Sequence, residues 1–405
     1  MAGFIIVASM KNQHDFRMWF HPVRLLCIGL FLQLVFSSPQ PSLAAPPTAA
    51  SPSLDTMIGQ MVMVGFRGLY ISPTDPIAAD IKKGRVGGVI LFNRDVKRKS
   101  NYRNIIRPQQ VERLITSLKS LAPTPIFIAV DQEGGRVNRL KKRYGFQTTV
   151  SAQSLGELDM PKWTLHTGAV VGHTLARVGF NVDFAPVVDV NVNPQSPAIG
   201  AIGRSFSSDP EKTAIHAAAF IQGLHESGVL SCIKHFPGHG SAQNDTHKGI
   251  TDVSNTWTRD ELIPYQYLAD HNLIDMVMSA HVVNSHLDPV YPASLSKAII
   301  TSLLRETIGF QGVVVSDDLQ MGAITKQYSL TETINLAIDA GVDILLFGNN
   351  LEYNPDLPSI VADVLKKRVQ DGTLSRERIQ ASYDRIQALK AKLIQLEQTA
   401  CYPDK

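Results

Sequence analysis

VLSCIKHF, from Val229 to Phe236, is a short apolar run that closes on a lysine and a histidine. Gly228 precedes it and Pro237-Gly238 follow, so residues that interrupt regular structure bound it on both sides. A run that is apolar at odd and even positions alike reads as a strand buried on both faces, the pattern of parallel sheets. Charge then belongs only at its end. Seven further runs follow the same rule: MVMVGF (61–66), GVILFN (88–93), IFIAVDQ (126–132), VDFAPVVD (182–189), DMVMSAH (275–281), VVVSDD (313–318) and VDILLFGN (342–349). Nearly all end in polar side chains, namely Asn93, Asp131, Asp189, Lys234 with His235, His281, Asp317 and Asn349.

Amphipathic stretches separate the runs, among them residues 109–121, 163–177 and 211–228. Ser296, Thr258 and Thr331 stand where helix N-caps are expected, with Glu261 completing a capping box after Thr258. Gly179, Gly228, Gly309 and Gly341 stand where helices should stop. Eight strands alternating with helices predict an α/β fold, a single-domain (β/α)8 TIM barrel spanning 54–405. An open doubly wound sheet alternates in the same way, but it uses only the strand ends at its switch point. Here the polar residues lie at almost every strand end, which a closed barrel gathers into one mouth. Residues 357–398 read as a helical tail packed on the barrel.

The first fifty residues differ. LLCIGLFLQLVF (25–36) is apolar, follows Arg17, His21 and Arg24, and leads into a Ser-, Pro- and Ala-rich stretch. The apolar run is shorter than the roughly twenty residues that span a bilayer. With the small-x-small site Ser42-Leu43-Ala44 it reads as a signal peptide over 1–44 and a linker over 45–53, which predicts an exported protein without stable membrane insertion. A cytoplasmic protein is the alternative. Of three cysteines only Cys232 and Cys401 would remain after cleavage, too few for a disulfide framework. The net charge is +3 and no basic stripe interleaves with aromatics, so nothing points to nucleic acid.

Chemistry concentrates in two places. In VVVSDDLQM at most one of Asp317 and Asp318 can project into the mouth, because adjacent strand residues face opposite ways; the other caps the following turn. The loop KHFPGHGSAQNDTHKG (234–249) holds three histidines, two lysines and an aspartate. Lys234 and His235 line the mouth. Asp245 lies two residues before His247, close enough to fix its tautomer and favour the protonated ring, which makes His247 a candidate proton donor and acceptor. Zinc is the competing reading of these residues. Against it, a Pro-Gly turn separates His235 from His239, no HxH or HExxH pattern is present, and Lys234 adds positive charge. No metal and no cofactor are expected, and His239 is read as structural, bonded to loop backbone.

KHFPGHG, then D-x-H, then SDDLxM about seventy residues on, resembles glycoside hydrolase family 3, and within it the single-domain β-N-acetylhexosaminidases. DQEGGRVNRL (131–140), IGRSFSSDP (202–210) and MSAH (278–281) fit the same pattern, over roughly 54–350. The resemblance implies retaining hydrolysis of terminal β-linked N-acetylglucosamine, with a carbohydrate such as a peptidoglycan fragment or a chitin-type oligosaccharide as partner. It implies Asp317 as nucleophile, His247 as general acid/base and Asp245 as its orienting partner. Asp131, Arg139, Arg204, Lys234 and His235 fall on sugar-binding positions. The family's usual loop reads Asp-Ser-His, and Thr246 here replaces the serine. A β-glucosidase, an N-acetylglucosaminide phosphorylase and a non-catalytic wall-binding barrel are the alternative functions.

Overall fold

A computed structural model describes residues 52–400. The expected signal peptide, most of the linker, and Cys401 lie outside the described residues. Eight strands form one parallel sheet: β1 (Val62–Gly65), β2 (Gly88–Ile90), β3 (Phe127–Val130), β4 (Val182–Asp183), β5 (Leu230–Phe236), β6 (Met276–Ser279), β7 (Val313–Ser316) and β8 (Leu345–Phe347). Each pairs with its neighbours in chain order, and β8 pairs with β1 in the register Leu345 to Val62. A parallel bridge between Val315 and Ile344 joins β7 to the start of β8 and closes the ring. The fold is a (β/α)8 barrel.

The eight expected strands all form, although the run 182–189 pairs regularly only at Val182–Asp183 and meets β5 again at Val187 opposite Lys234. Pro186 interrupts it, since proline has no N–H to give the ladder. The helices lie outside the ring. Pro108–Leu121 carries Val111, Leu114, Ile115 and Leu118 on its buried side at helical spacing, and each such side chain contributes about 1.5–3 kcal/mol on burial. The four glycines expected to stop helices all take positive φ, from 71° at Gly228 to 113° at Gly341.

Two expected caps differ. Ser329, not Thr331, caps the helix Leu330–Ala340, accepting from Glu332 N–H at 3.2 Å. Thr258 makes no side-chain cap and Glu261 does not reach back to it. Glu261 is instead buried beneath the Gly238–Gly240 turn, where it accepts from Gly240 N–H at 3.1 Å. Ser296 does act as expected, accepting from Ile299 N–H and donating to Asp288.

The tail is two helices, Leu357–Gln370 and Arg376–Thr399, broken at Asp371–Leu374. It seals the end of the barrel where strands begin. Lys390 reaches Gln60 Oε1 and the carbonyl of Gly87, just ahead of β1 and β2. Asp343, ahead of β8, accepts from Arg305, Ser382 and Arg385. With this end closed, the polar strand ends at the opposite face are the ones left open to solvent. Among the described residues no helix is long and apolar enough to cross a membrane.

Candidate active site

Asp131, Arg139, Arg204, Lys234, His235, Asp245, His247 and Asp317 all line one cleft of about 520 Å³ at the strands' C-terminal ends. Its floor is an ion network. Lys234, at the end of β5 and 1% exposed, donates to Asp131 Oδ1 at 2.9 Å and meets Glu133 Oε1 at 2.7 Å. Arg139 donates to the other oxygen of Asp131 at 2.9 Å, and Arg204 holds Glu133 through two bonds of 2.7 Å. Asp131 and Glu133 are two residues apart in an extended segment, so both face the same way. The hairpin Gln132–Gly134 with Val137–Asn138 then returns Arg139 to Asp131.

Burial opposes ionisation of Asp131, but the charges of Lys234 and Arg139 outweigh it and hold the carboxyl well below its usual range. Burial likewise works against Glu133, and Arg204 and Lys234 bring it below its ordinary value. Burial disfavours the Lys234 ammonium, yet Asp131 and Glu133 push its pKa up. The network is therefore fully charged. A carboxylate has about four acceptor sites, so Asp131 keeps capacity for a hydroxyl pair.

His235 is fixed on both sides. Its Nδ1 lies 2.6 Å from Asp189 Oδ2 and its Nε2 lies 3.3 Å from an Arg204 amino group, so Nδ1–H donates to Asp189 and Nε2 faces the guanidinium. Asp189 also accepts the backbone N–H groups of His235 and His239, at 3.1 and 2.8 Å. It therefore organises the whole KHFPGH turn. His239 departs from expectation: its ring lies 3.4 Å from the Thr246 hydroxyl rather than on loop backbone. Burial lowers its pKa to about 4, so the ring is neutral. Among the described residues no group of three or more His, Cys, Asp or Glu side chains is placed to hold a metal.

Both adjacent aspartates border the cleft, where at most one was expected to face it, and they differ in how they are held. Asp318 accepts from Gln320 N–H at 3.0 Å and Gly348 N–H at 2.8 Å, tying the end of β7 to the end of β8, and burial raises its pKa to about 6. Burial also acts on Asp317, but the imidazoles of His281, His235 and His247 and the Asp318 N–H outweigh it and lower the pKa. His281 is buried between Ser294 Oγ at 2.6 Å and the Asp318 carbonyl at 3.0 Å, which places its proton on Nε2.

His247 rises from the loop after β5, its side chain 62% exposed. Nδ1 lies 2.8 Å from Asp245 Oδ1, and the same oxygen accepts the His247 backbone N–H at 3.0 Å. Asp245 raises the pKa of the ring, burial opposes this, and the charge of Asp317 adds to the rise. The reciprocal bond lowers Asp245 to about 2. With Nδ1 committed to Asp245, Nε2 is the nitrogen free to exchange a proton across the cleft.

The family model described as glycosyl hydrolase family 3 N terminal domain matches residues 53–389. The chain belongs to glycosyl hydrolase family 3. It is 31% identical to beta-hexosaminidase A of Pseudoalteromonas piscicida over 86% of its own length and 63% of the relative's. With a beta-hexosaminidase of Nitrosomonas eutropha it shares 36% identity over 73% of this chain and 82% of the other. A solved family 3 β-N-acetylglucosaminidase from a Paenibacillus species superposes with a TM-score of 0.78 at 33% identity, covering 88% of this chain and 65% of that one. The chain thus spans just under two thirds of two of these family members. Glu133, which lines the cleft, and Asp189, fully buried behind His235, have no chemical role assigned from the sequence. The spacing of Asp131 and Glu133 was a usable signal for the first, whereas nothing local links Asp189 to His235, 46 positions away.

Proposed function

We propose that this chain is a retaining exo-β-N-acetylhexosaminidase that removes terminal β-linked N-acetylglucosamine through a covalent glycosyl-Asp317 intermediate. The observation carrying this reading is the pairing, in one cleft, of an ionised strand-end carboxylate with an imidazole whose pKa an adjacent acid raises. Retaining glycosidases place a nucleophile and an acid/base on opposite sides of the scissile bond, usually as two carboxylates. Here His247 fills the second role. As Asp317 attacks the anomeric carbon, the Nε2 proton of His247 passes to the glycosidic oxygen and the C1–O bond breaks. The neutral ring then takes a proton from water, whose oxygen displaces Asp317 and restores the β configuration. Asp245 stabilises the imidazolium at each end of the cycle. Asp131, Arg139, Arg204, Lys234 and His235 hold the sugar hydroxyls.

The names of the relatives support N-acetylglucosamine as the sugar. Peptidoglycan fragments and chitin-type oligosaccharides are the two natural sources we propose, and the signal-like sequence pattern of residues 1–44 supports export to the periplasm or medium. Turnover of an aryl β-N-acetylglucosaminide at least tenfold faster than of the matching glucoside, with free sugar formed in phosphate buffer, is the expected assay result. Preference for the glucoside refutes the sugar, sugar 1-phosphate as product refutes hydrolysis, and no turnover of either refutes an enzyme.

A further inference from the structure

The segment from Ser241 to Ile250 contains no helix or strand; Ser241 and Ala242 at its start are buried, and Thr246 is the next buried residue along it. Thr246 is 3% exposed, whereas His247 and Lys248 beside it are exposed. Its hydroxyl lies 3.4 Å from His239 Nε2, and its carbonyl accepts from Ala323 N–H at 3.2 Å. Both anchors are themselves held. His239 is 3% exposed, gives its backbone N–H to Asp189, and packs edge-on against His235 at 5.8 Å. Ala323 lies in the one-turn helix Gly322–Thr325, which follows Asp317 and Asp318 in the chain. At its end Lys326 Nζ donates to the Lys248 carbonyl at 2.7 Å, and Gly322 lies so close that a Cβ there would stand 2.9 Å from the His247 carbonyl oxygen.

We propose that Thr246 is a positioning residue, pegged between His239 and the Met321–Lys326 turn, that sets how often His247 stands over the cleft. The proposal rests on the reading of His247 as the acid/base. Thr246 and His239 border the same cleft as His247 and Asp317. The peg links the loop bearing the proton donor to the turn that follows the nucleophile, so the two groups share one reference frame. A stiff β-branched side chain suits this work, because its restricted χ1 keeps the hydroxyl aimed at His239. One hydrogen bond between neutral groups, lost from the docked loop only, changes the docked-to-undocked ratio by about three- to tenfold.

Thr246→Val keeps the shape and removes the hydroxyl; Thr246→Ser keeps the hydroxyl; Gly322→Ala presses on the loop from the other side. For Thr246→Val and Gly322→Ala we expect kcat/KM on a disaccharide with a poor leaving group to fall about three- to tenfold, with a smaller fall on an activated aryl glycoside. Thr246→Ser should stay within about twofold of the parent. Trypsin should cleave after Lys248 faster in the valine and alanine variants, a readout independent of activity. His247→Ala is the control: equal loss on both substrates there refutes the acid/base reading itself. If that control shows leaving-group dependence while Thr246→Val matches the parent, loses equally on both substrates, or is not rescued by serine, the positioning role is refuted. Gly322→Ala keeps the test open should the valine variant fail to fold, and unchanged kinetics and proteolysis in that variant refute the dock.

Discussion

Replacing Lys234 with methionine takes one cation from between two buried carboxylates. In the parent, Lys234 Nζ lies 2.9 Å from Asp131 and 2.7 Å from Glu133. Removing one partner of a buried ion pair costs about 3–5 kcal/mol. Arg139 and Arg204 stay on the two acids, so the low end, about 3 kcal/mol, is expected at pH 7. Unfolding entropy near 2.1 cal/mol/K per residue over roughly 350 residues gives roughly 0.7 kcal/mol/K, hence a fall in Tm of about 4 °C. The pH dependence has a defined sign. In the parent both acids have depressed pKa values, so their stabilising contribution is present at neutral pH and is lost as the pH falls through the acid range. Without the cation their pKa values rise, and protonation then relieves the variant. The gap in Tm should therefore narrow from pH 7 to pH 5 in thermal melts of the two proteins. An unchanged Tm at pH 7, or a gap that widens toward acid, refutes the charged floor.

Three further outcomes are expected. Glu261 has its pKa raised to about 8 by burial, so stability falls as the pH climbs from the ordinary carboxylate range toward 8 and then levels off. Glu261→Gln should flatten that slope by about 1 kcal/mol per pH unit, and parallel stability–pH curves would contradict it. Because Asp245 raises the pKa of His247, Asp245→Asn should move the alkaline limb of kcat/KM to lower pH, where the parent is still active; an unmoved limb assigns that limb to another group. Asp318→Asn keeps the cap to Gly348 N–H and Gln320 N–H and should retain within about tenfold of parental activity, whereas Asp317→Asn should lose at least a thousandfold, both read by steady-state kinetics.

The barrel was legible because each buried parallel strand is a run apolar on both faces that ends in a polar residue, so VLSCIKHF and VVVSDD give position and polarity together. Gathering the ends into one mouth brought Asp131, Lys234, His247 and Asp317 to a single cleft. Strand alternation predicts that only one of Asp317 and Asp318 faces the mouth; both border the cleft, and what separates them is that Asp318 accepts from Gln320 N–H and Gly348 N–H. What stayed illegible depends on contacts distant in the chain. Asp189 meets His235, Glu133 meets Arg204 71 positions away, and Glu261 leaves its local capping pattern to support the Gly238–Gly240 turn. The substitution of threonine for serine at position 246 was visible as a departure, but its burial against His239 was not.

In the proposed reaction Asp317 bonds to the sugar while His247 supplies and recovers the proton. Incubation with a fluorinated, slowly turned over N-acetylglucosaminide, followed by peptide mass spectrometry, tests it most directly. One glycosyl adduct is expected, on Asp317, forming in the His247→Ala variant with an activated leaving group and then released more slowly. An adduct on Asp318 or on a glutamate, or none in a protein that turns over the unfluorinated substrate, contradicts it.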